Sequence, residues 1–159
     1  MRERVPCFIL LTLALVVCAP TPGRAQTATG INDLTFGNVL PGVPKTISKR
    51  TAGAAAEYSV TGDAGDQVLI DFSLPTHLRD NGNTLLITFS ATDCAIDSSD
   101  PGDQSNPAWD DRDPRNTLTA TLGSGGLTIW LGARTQPSAQ QPSGNYSAEI
   151  ILTVSPAGT

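Results

Sequence analysis

The densest chemistry in the chain lies in segment 93–115, where Asp93, Asp97, Asp100, Asp103, Asp110, Asp111 and Asp113 stand among serine, proline and glycine. Carboxylates at that density can hold calcium through oxygen ligands, and Asp97, Asp100, Asp103, Asp110, Asp111 and Asp113 are the candidates. The spacing lacks the Asp-x-Asp-x-Asp-Gly run and the closing glutamate of an EF-hand loop. A plainer reading therefore competes: a solvated, partly mobile acidic insertion anchored by Trp109. Trp109 is also the candidate ligand-binding aromatic, because an aromatic face beside carboxylates can recognise a sugar. Trp130 alternates with Ile129 and Leu131, so it faces either solvent or a second layer of the fold. Adjacent Asp110 and Asp111 could in principle share acid and base work at a glycosidic bond. Neighbours on a loop point apart, however, and that chemistry needs two carboxyls at a set separation across a cleft.

Nucleophilic chemistry has little to draw on. Cys94 would need a basic partner, and the chain's one histidine, His77, falls in a predicted turn. Cys94 then reads either as a candidate intermolecular thiol or as a small apolar residue packed at a strand end. No catalytic constellation emerges, so the expectation is a protein that is not an enzyme and uses no cofactor.

The compartment comes from the first 25 residues. Arg2 and Arg4 begin a positive region, residues 7–19 form an apolar run broken only by Thr12, and residues 20–25 end in Gly-Arg-Ala. That is the pattern of an export leader cleaved after Ala25. A lipoprotein reading at Cys18 is weaker, because Val17 precedes it where a small residue is usual. No later segment approaches the ~20 apolar residues of a membrane-spanning helix. The expected mature chain, 26–159, is thus exported to the periplasm, cell surface or medium without an integral span. The leader takes Arg2, Arg4, Arg24 and Glu3 from the chain's 10 bases and 15 acids, leaving a net charge of −7. Nucleic acid is a poor partner for such a surface, since phosphate neutralisation needs clustered Lys and Arg. Cys7 and Cys18 also leave with the leader, so Cys94 has no internal disulfide partner.

The remaining residues alternate between apolar and polar with period two, the signal of half-buried strands. Val68, Ile70, Phe72 and Leu74 share one face, as do Leu85, Ile87, Phe89 and Ala91; the Asn81-Gly82 pair between these runs predicts a tight hairpin turn. Leu118, Ala120 and Leu122 lead through glycines 123–126 to Leu127, Ile129, Leu131 and Ala133, which predicts a second hairpin. The closing run places Tyr146, Ala148, Ile150, Leu152 and Val154 on one face, with Ile151 as an exception that marks a strand covered on both sides. With 34–40, 43–48 and 56–61 added, about eight strands are expected in a single domain spanning 26–159. The predicted fold is an all-β, immunoglobulin-like antiparallel sandwich with the acidic insertion at 93–115; a closed barrel is the alternative.

Those segments resemble the exported bacterial family called domain of unknown function 4402. Leu34-Thr35-Phe36-Gly37-Asn38-Val39 with Pro41-Gly42 looks like its opening strand, and Ala56-Glu57-Tyr58-Ser59-Val60-Thr61-Gly62-Asp63 like its second signature, followed by Ile70-Asp71-Phe72-Ser73-Leu74-Pro75. Leu131-Gly132-Ala133, Gln141-Pro142-Ser143-Gly144-Asn145-Tyr146-Ser147 and the run to Val154 are similar to its ending. That family is in turn similar to the spore coat U domain and to pilus subunits built by chaperone and usher. The resemblance implies a structural or adhesive surface-assembly protein of the bacterial envelope, pilin-like or coat-like, that associates with itself or with another envelope protein. Three features set this chain apart: no cysteine pair, a closing strand that ends in Ser155-Pro156-Ala157-Gly158-Thr159, and the long acidic insertion. Stretch 26–33, with only Ala28 and Ile31 apolar, is short for a donor strand that would complete a neighbour's open sheet. The alternative function is a soluble, secreted binding module for carbohydrate or calcium.

Overall fold

Period-two alternation becomes twelve strands, β1 to β12 in chain order, in a computed structural model that describes residues 26–158. The leader reading on 1–25, with Cys7 and Cys18, lies outside the described residues. Among them there is no helix, and none is long and apolar enough to cross a membrane.

Three antiparallel sheets build an all-β, sandwich-like body. The first runs β1 (Thr27–Asn32), β3 (Ala56–Thr61), β10 (Leu127–Leu131), β7 (Cys94–Asp97), β8 (Trp109–Arg112). The second runs β2 (Lys45–Ile47), β11 (Ala133–Gln136), β6 (Asn83–Thr88), β5 (His77–Asp80). The third is β12 (Ile151–Pro156), β4 (Gln67–Ser73), β9 (Leu118–Thr121). All three feed one core: Val60, Ile96, Ile129 and Leu131 from the first, Ile47, Ile87 and Ala133 from the second, Val68, Ile70 and Ala120 from the third. The faces follow the expected alternation. Val68 and Ile70 are buried while Gln67 and Asp71 are exposed, and Leu85 and Ile87 are buried while Thr84 and Thr88 are exposed. Tyr58 and Phe72 meet edge-on, ring centroids 5.9 Å apart, which suits the ring quadrupoles.

Strand pairing departs from the sequence-based expectation. Asn81 and Gly82 do make a tight turn, with φ of 46° and 87°, the positive pair of a type I′ hairpin. The strand before it is the short β5, paired Leu78↔Leu85 and Asp80↔Asn83, so His77 lies on a strand and not in a turn. β4, the expected partner, pairs instead with β12 and β9. The second expected hairpin is also absent: β9 and β10 meet only at a Gly123↔Gly126 bridge and belong to different sheets. Ala133 does not continue β10. Gly132 ends that strand where a side chain would press 2.5 Å from the Ile47 carbonyl oxygen, and the chain enters β11 in the second sheet. Residues 34–40 run as an irregular segment, not as a strand. Ile151 is 49% exposed, so β12 is covered on one face only. Period two identifies which side chains turn inward, but alternation alone carries no information on which edge pairs with which.

Candidate functional site

Segment 93–115 is an organised cap on the first sheet. Its two ends are β7 and β8, paired Cys94↔Arg112 and Ile96↔Trp109, so part of the insertion read as a loop is strand. Buried Asp97 is the hub of what lies between. Its carboxylate accepts hydrogen bonds from the Asp103 amide at 2.8 Å, the Ala108 amide at 3.0 Å, and the Ser99 amide and hydroxyl. Burial pushes the Asp97 carboxyl upward, but these donors outweigh it and hold the group below its ordinary range. Gly102 comes so close to Thr128 and Trp130 that an added Cβ would lie 3.0 Å from the indole. Trp130 is accordingly 3% exposed, beneath the cap, while Trp109 packs half-buried against the core.

The neighbouring aspartates are taken up by other donors. Lys49, buried in the turn two residues past β2, places its ammonium 2.7 Å from Asp110, 2.5 Å from Asp111 and 2.7 Å from the Thr92 carbonyl oxygen. Arg50 pairs with Asp110 from the other side. The Lys49 hydrogen bond, opposed by desolvation and reinforced by Arg50, draws the Asp110 carboxyl down to about 2. Burial lowers the Lys49 ammonium, but the two carboxylates overcome it and raise the group above its ordinary value. Asp113 pairs with Arg115 at 2.8 Å, and Asp103 accepts from the Ser105 hydroxyl at 2.6 Å. Among the described residues no three His, Cys, Asp or Glu side chains converge where they could hold a metal; of the six calcium candidates, Asp110 and Asp111 share Lys49, Asp97, Asp103 and Asp113 have donors of their own, and Asp100 lies beside Gly125. Cys94 is fully buried on β7, and desolvation pushes its thiol up to about 12. Burial of this kind fits the packed apolar reading of Cys94 and gives the intermolecular one no exposed sulfur to work with. His77 is exposed on β5, in a different sheet.

The large concavity lies elsewhere. A cleft of about 1410 Å³ opens between β1, the irregular segment 33–41 and residues 141–152 leading into β12. Its walls include Leu34, Phe36, Tyr58, Leu78, Leu85, Ile87 and Leu152. β1 and β12 are the last strands of their sheets, and both line the cleft, so each brings an unpaired edge to it. An unpaired strand edge is a row of unused amide donors and carbonyl acceptors, which natural sheets usually blunt with charge, proline or shortness. Here β1, Thr-Ala-Thr-Gly-Ile-Asn, holds none of these devices, and Ile31 beside the cleft is 58% exposed. By contrast the outer strands β8 and β5 carry Asp110, Asp111 and Arg112, and Arg79 and Asp80.

Sequence reasoning missed this cleft. Its walls come from segments read only as strands or as carriers of the family resemblance, and its size depends on which strands fail to pair. The readable signals were the uncharged β1 and the apolar segment 34–40, whose Leu40 is 68% exposed. The Lys49 site was also missed, because a lone lysine between Ser48 and Arg50 looks like a solvated surface charge. Against this geometry, no family model matches the chain and no curated protein matches it.

Proposed function

We propose that this is an exported, non-catalytic structural or adhesive protein of the bacterial envelope, pilin-like or coat-like, that works by receiving a segment of another polypeptide in the cleft between β1 and β12. The observation that supports the reading is the pair of unpaired, uncharged strand edges on one apolar groove. An extended segment added there would satisfy backbone groups and cover apolar side chains in the same step. The leader, the all-β body and the resemblance to exported assembly domains agree with this reading. Carbohydrate or calcium binding at the acidic segment gains no support, since Trp130 is covered, Trp109 is packed and five of the six candidate carboxylates already take donors from this chain.

Gly30 gives a clean test. It lies on β1 against the cleft, and a Cβ added there meets no atom within 4 Å. Gly30→Trp should therefore fill the cleft while leaving the fold in place. Size exclusion with light scattering on residues 26–159, alone and with a neutral alternating Val-Thr peptide, should give either assemblies or a one-to-one peptide complex, in both cases lost in Gly30→Trp. A monomer that ignores the peptide, or assemblies indifferent to Gly30→Trp, contradicts the reading.

A further inference from the structure

We infer that the cleft selects its occupant by charge, taking an extended apolar segment that carries Lys or Arg and comes from a different protein. The inference rests on the assembly reading above and specifies the partner. Among the described residues that line the cleft there are two carboxylates, Asp33 and Glu149, and no Lys, Arg or His. Both carboxylates are exposed, and neither has an ion pair among the described residues. This contrasts with the acidic segment, where Lys49, Arg50 and Arg115 answer Asp110, Asp111 and Asp113. Asp33 follows directly on β1, and Glu149 shortly precedes β12, so the two anionic groups stand beside the two unpaired edges.

A second copy of this chain is a poor occupant on the same ground. The portion after the expected cleavage point carries a net charge of −7, so copies repel one another and present few bases to Asp33 and Glu149. The stretch that could serve as a donated strand, Thr27–Asn32, is already paired with β3 of its own sheet. A cationic, alternating segment of a different chain meets both requirements: apolar side chains for the groove and a base for each carboxylate. Charge complementarity of this kind acts mainly on choice of partner and on association rate.

The test uses three fluorescein-labelled Val-Thr peptides of equal length, flanked by Lys, Gln or Glu, titrated into folded 26–159 and followed by anisotropy. The Lys-flanked peptide should bind most tightly and the Glu-flanked one least. With exposed charge pairs contributing about threefold each, the pair should separate Lys from Gln flanks by about tenfold at low salt. Asp33→Asn with Glu149→Gln should abolish that separation while leaving binding of the Gln-flanked peptide intact, and Gly30→Trp should remove all three. Equal binding of the three peptides, or a charge preference that survives the double substitution, overturns the charge selection and leaves the assembly reading standing. No binding by any peptide, with assembly insensitive to Gly30→Trp, fails the assembly reading itself. Homogeneous self-assemblies that Gly30→Trp dissolves and the Lys-flanked peptide cannot displace would make the occupant a second copy, and would also overturn the inference.

Discussion

The acidic segment 93–115 and the cleft between β1 and β12 are opposite in how they use their polar groups. In the segment, Asp97, Asp103, Asp110, Asp111 and Asp113 all have donors supplied by the same chain, and the result is a cap over Trp130. In the cleft, two strand edges, an apolar wall and the carboxylates of Asp33 and Glu149 are left without such partners among the described residues. The region richest in ionisable residues is thus internally satisfied. The region with the plainest composition holds what another molecule could complete.

Substitutions should divide along the same line. The largest effect is expected at Asp97: Asp97→Ala leaves the Asp103 and Ala108 amides without their acceptor and should lower unfolding free energy by about 3 kcal/mol in urea titration. Trp130 emission should shift to the red as the cap loosens. Next is Lys49→Met, which strands the Thr92 carbonyl and removes the common partner of Asp110 and Asp111; about 2 kcal/mol is expected, less than for a fully buried pair because those carboxylates are partly exposed. If either substitution proves silent, the segment is not the organised cap described here.

Strong acid should loosen the cap. The Asp97 and Asp110 carboxyls are held below their ordinary 3.8, Asp110 at about 2. Their stabilisation is fully present above the unfolded value and is lost as pH falls from about 4 toward 2. Lys49 has the opposite sign: raised above 10.5, its contribution is present below that value and lost as pH climbs past it. Amide exchange at 98–108 across pH 2 to 7, an interval chosen to bracket those values, checks the acid limb. Loss of protection there only above pH 5 would contradict the assignment of the transition to these carboxylates.

Smaller effects are expected at the cleft. Asp33→Asn, Glu149→Gln and Gly30→Trp should each leave unfolding free energy within about 0.5 kcal/mol of the parent, since none removes a described ion pair or a buried contact. The smallest is at Cys94, where a maleimide should fail to label the folded protein and reductant should leave its size unchanged.

Much of the inward-facing pattern was legible in the sequence. Val68, Ile70, Leu85, Ile87, Leu127, Ile129 and Leu131 read as core and are core, because a period of two is a local property. The Asn81-Gly82 turn was legible for the same reason, as positive φ at both positions calls for those residue types. Pairing was not legible: Ile70 could sit opposite a β6 residue as easily as opposite Val154 and Leu118, its actual neighbours, and only the tertiary fold decides. The cap was misread because aspartates beside Ser, Pro and Gly look solvated until Lys49 and Arg50, some sixty residues earlier, come into place. The cleft was hidden because it arises from absent pairings, and residues 34–40 satisfy strand alternation without forming a strand.

The most direct test of the central claim is amide hydrogen exchange on residues 26–159 with and without the Lys-flanked Val-Thr peptide. The account predicts new protection on β1 and β12, with 93–115 unchanged because its groups are already bonded. Protection that appears on 93–115 and leaves β1 and β12 exchanging as before would contradict it.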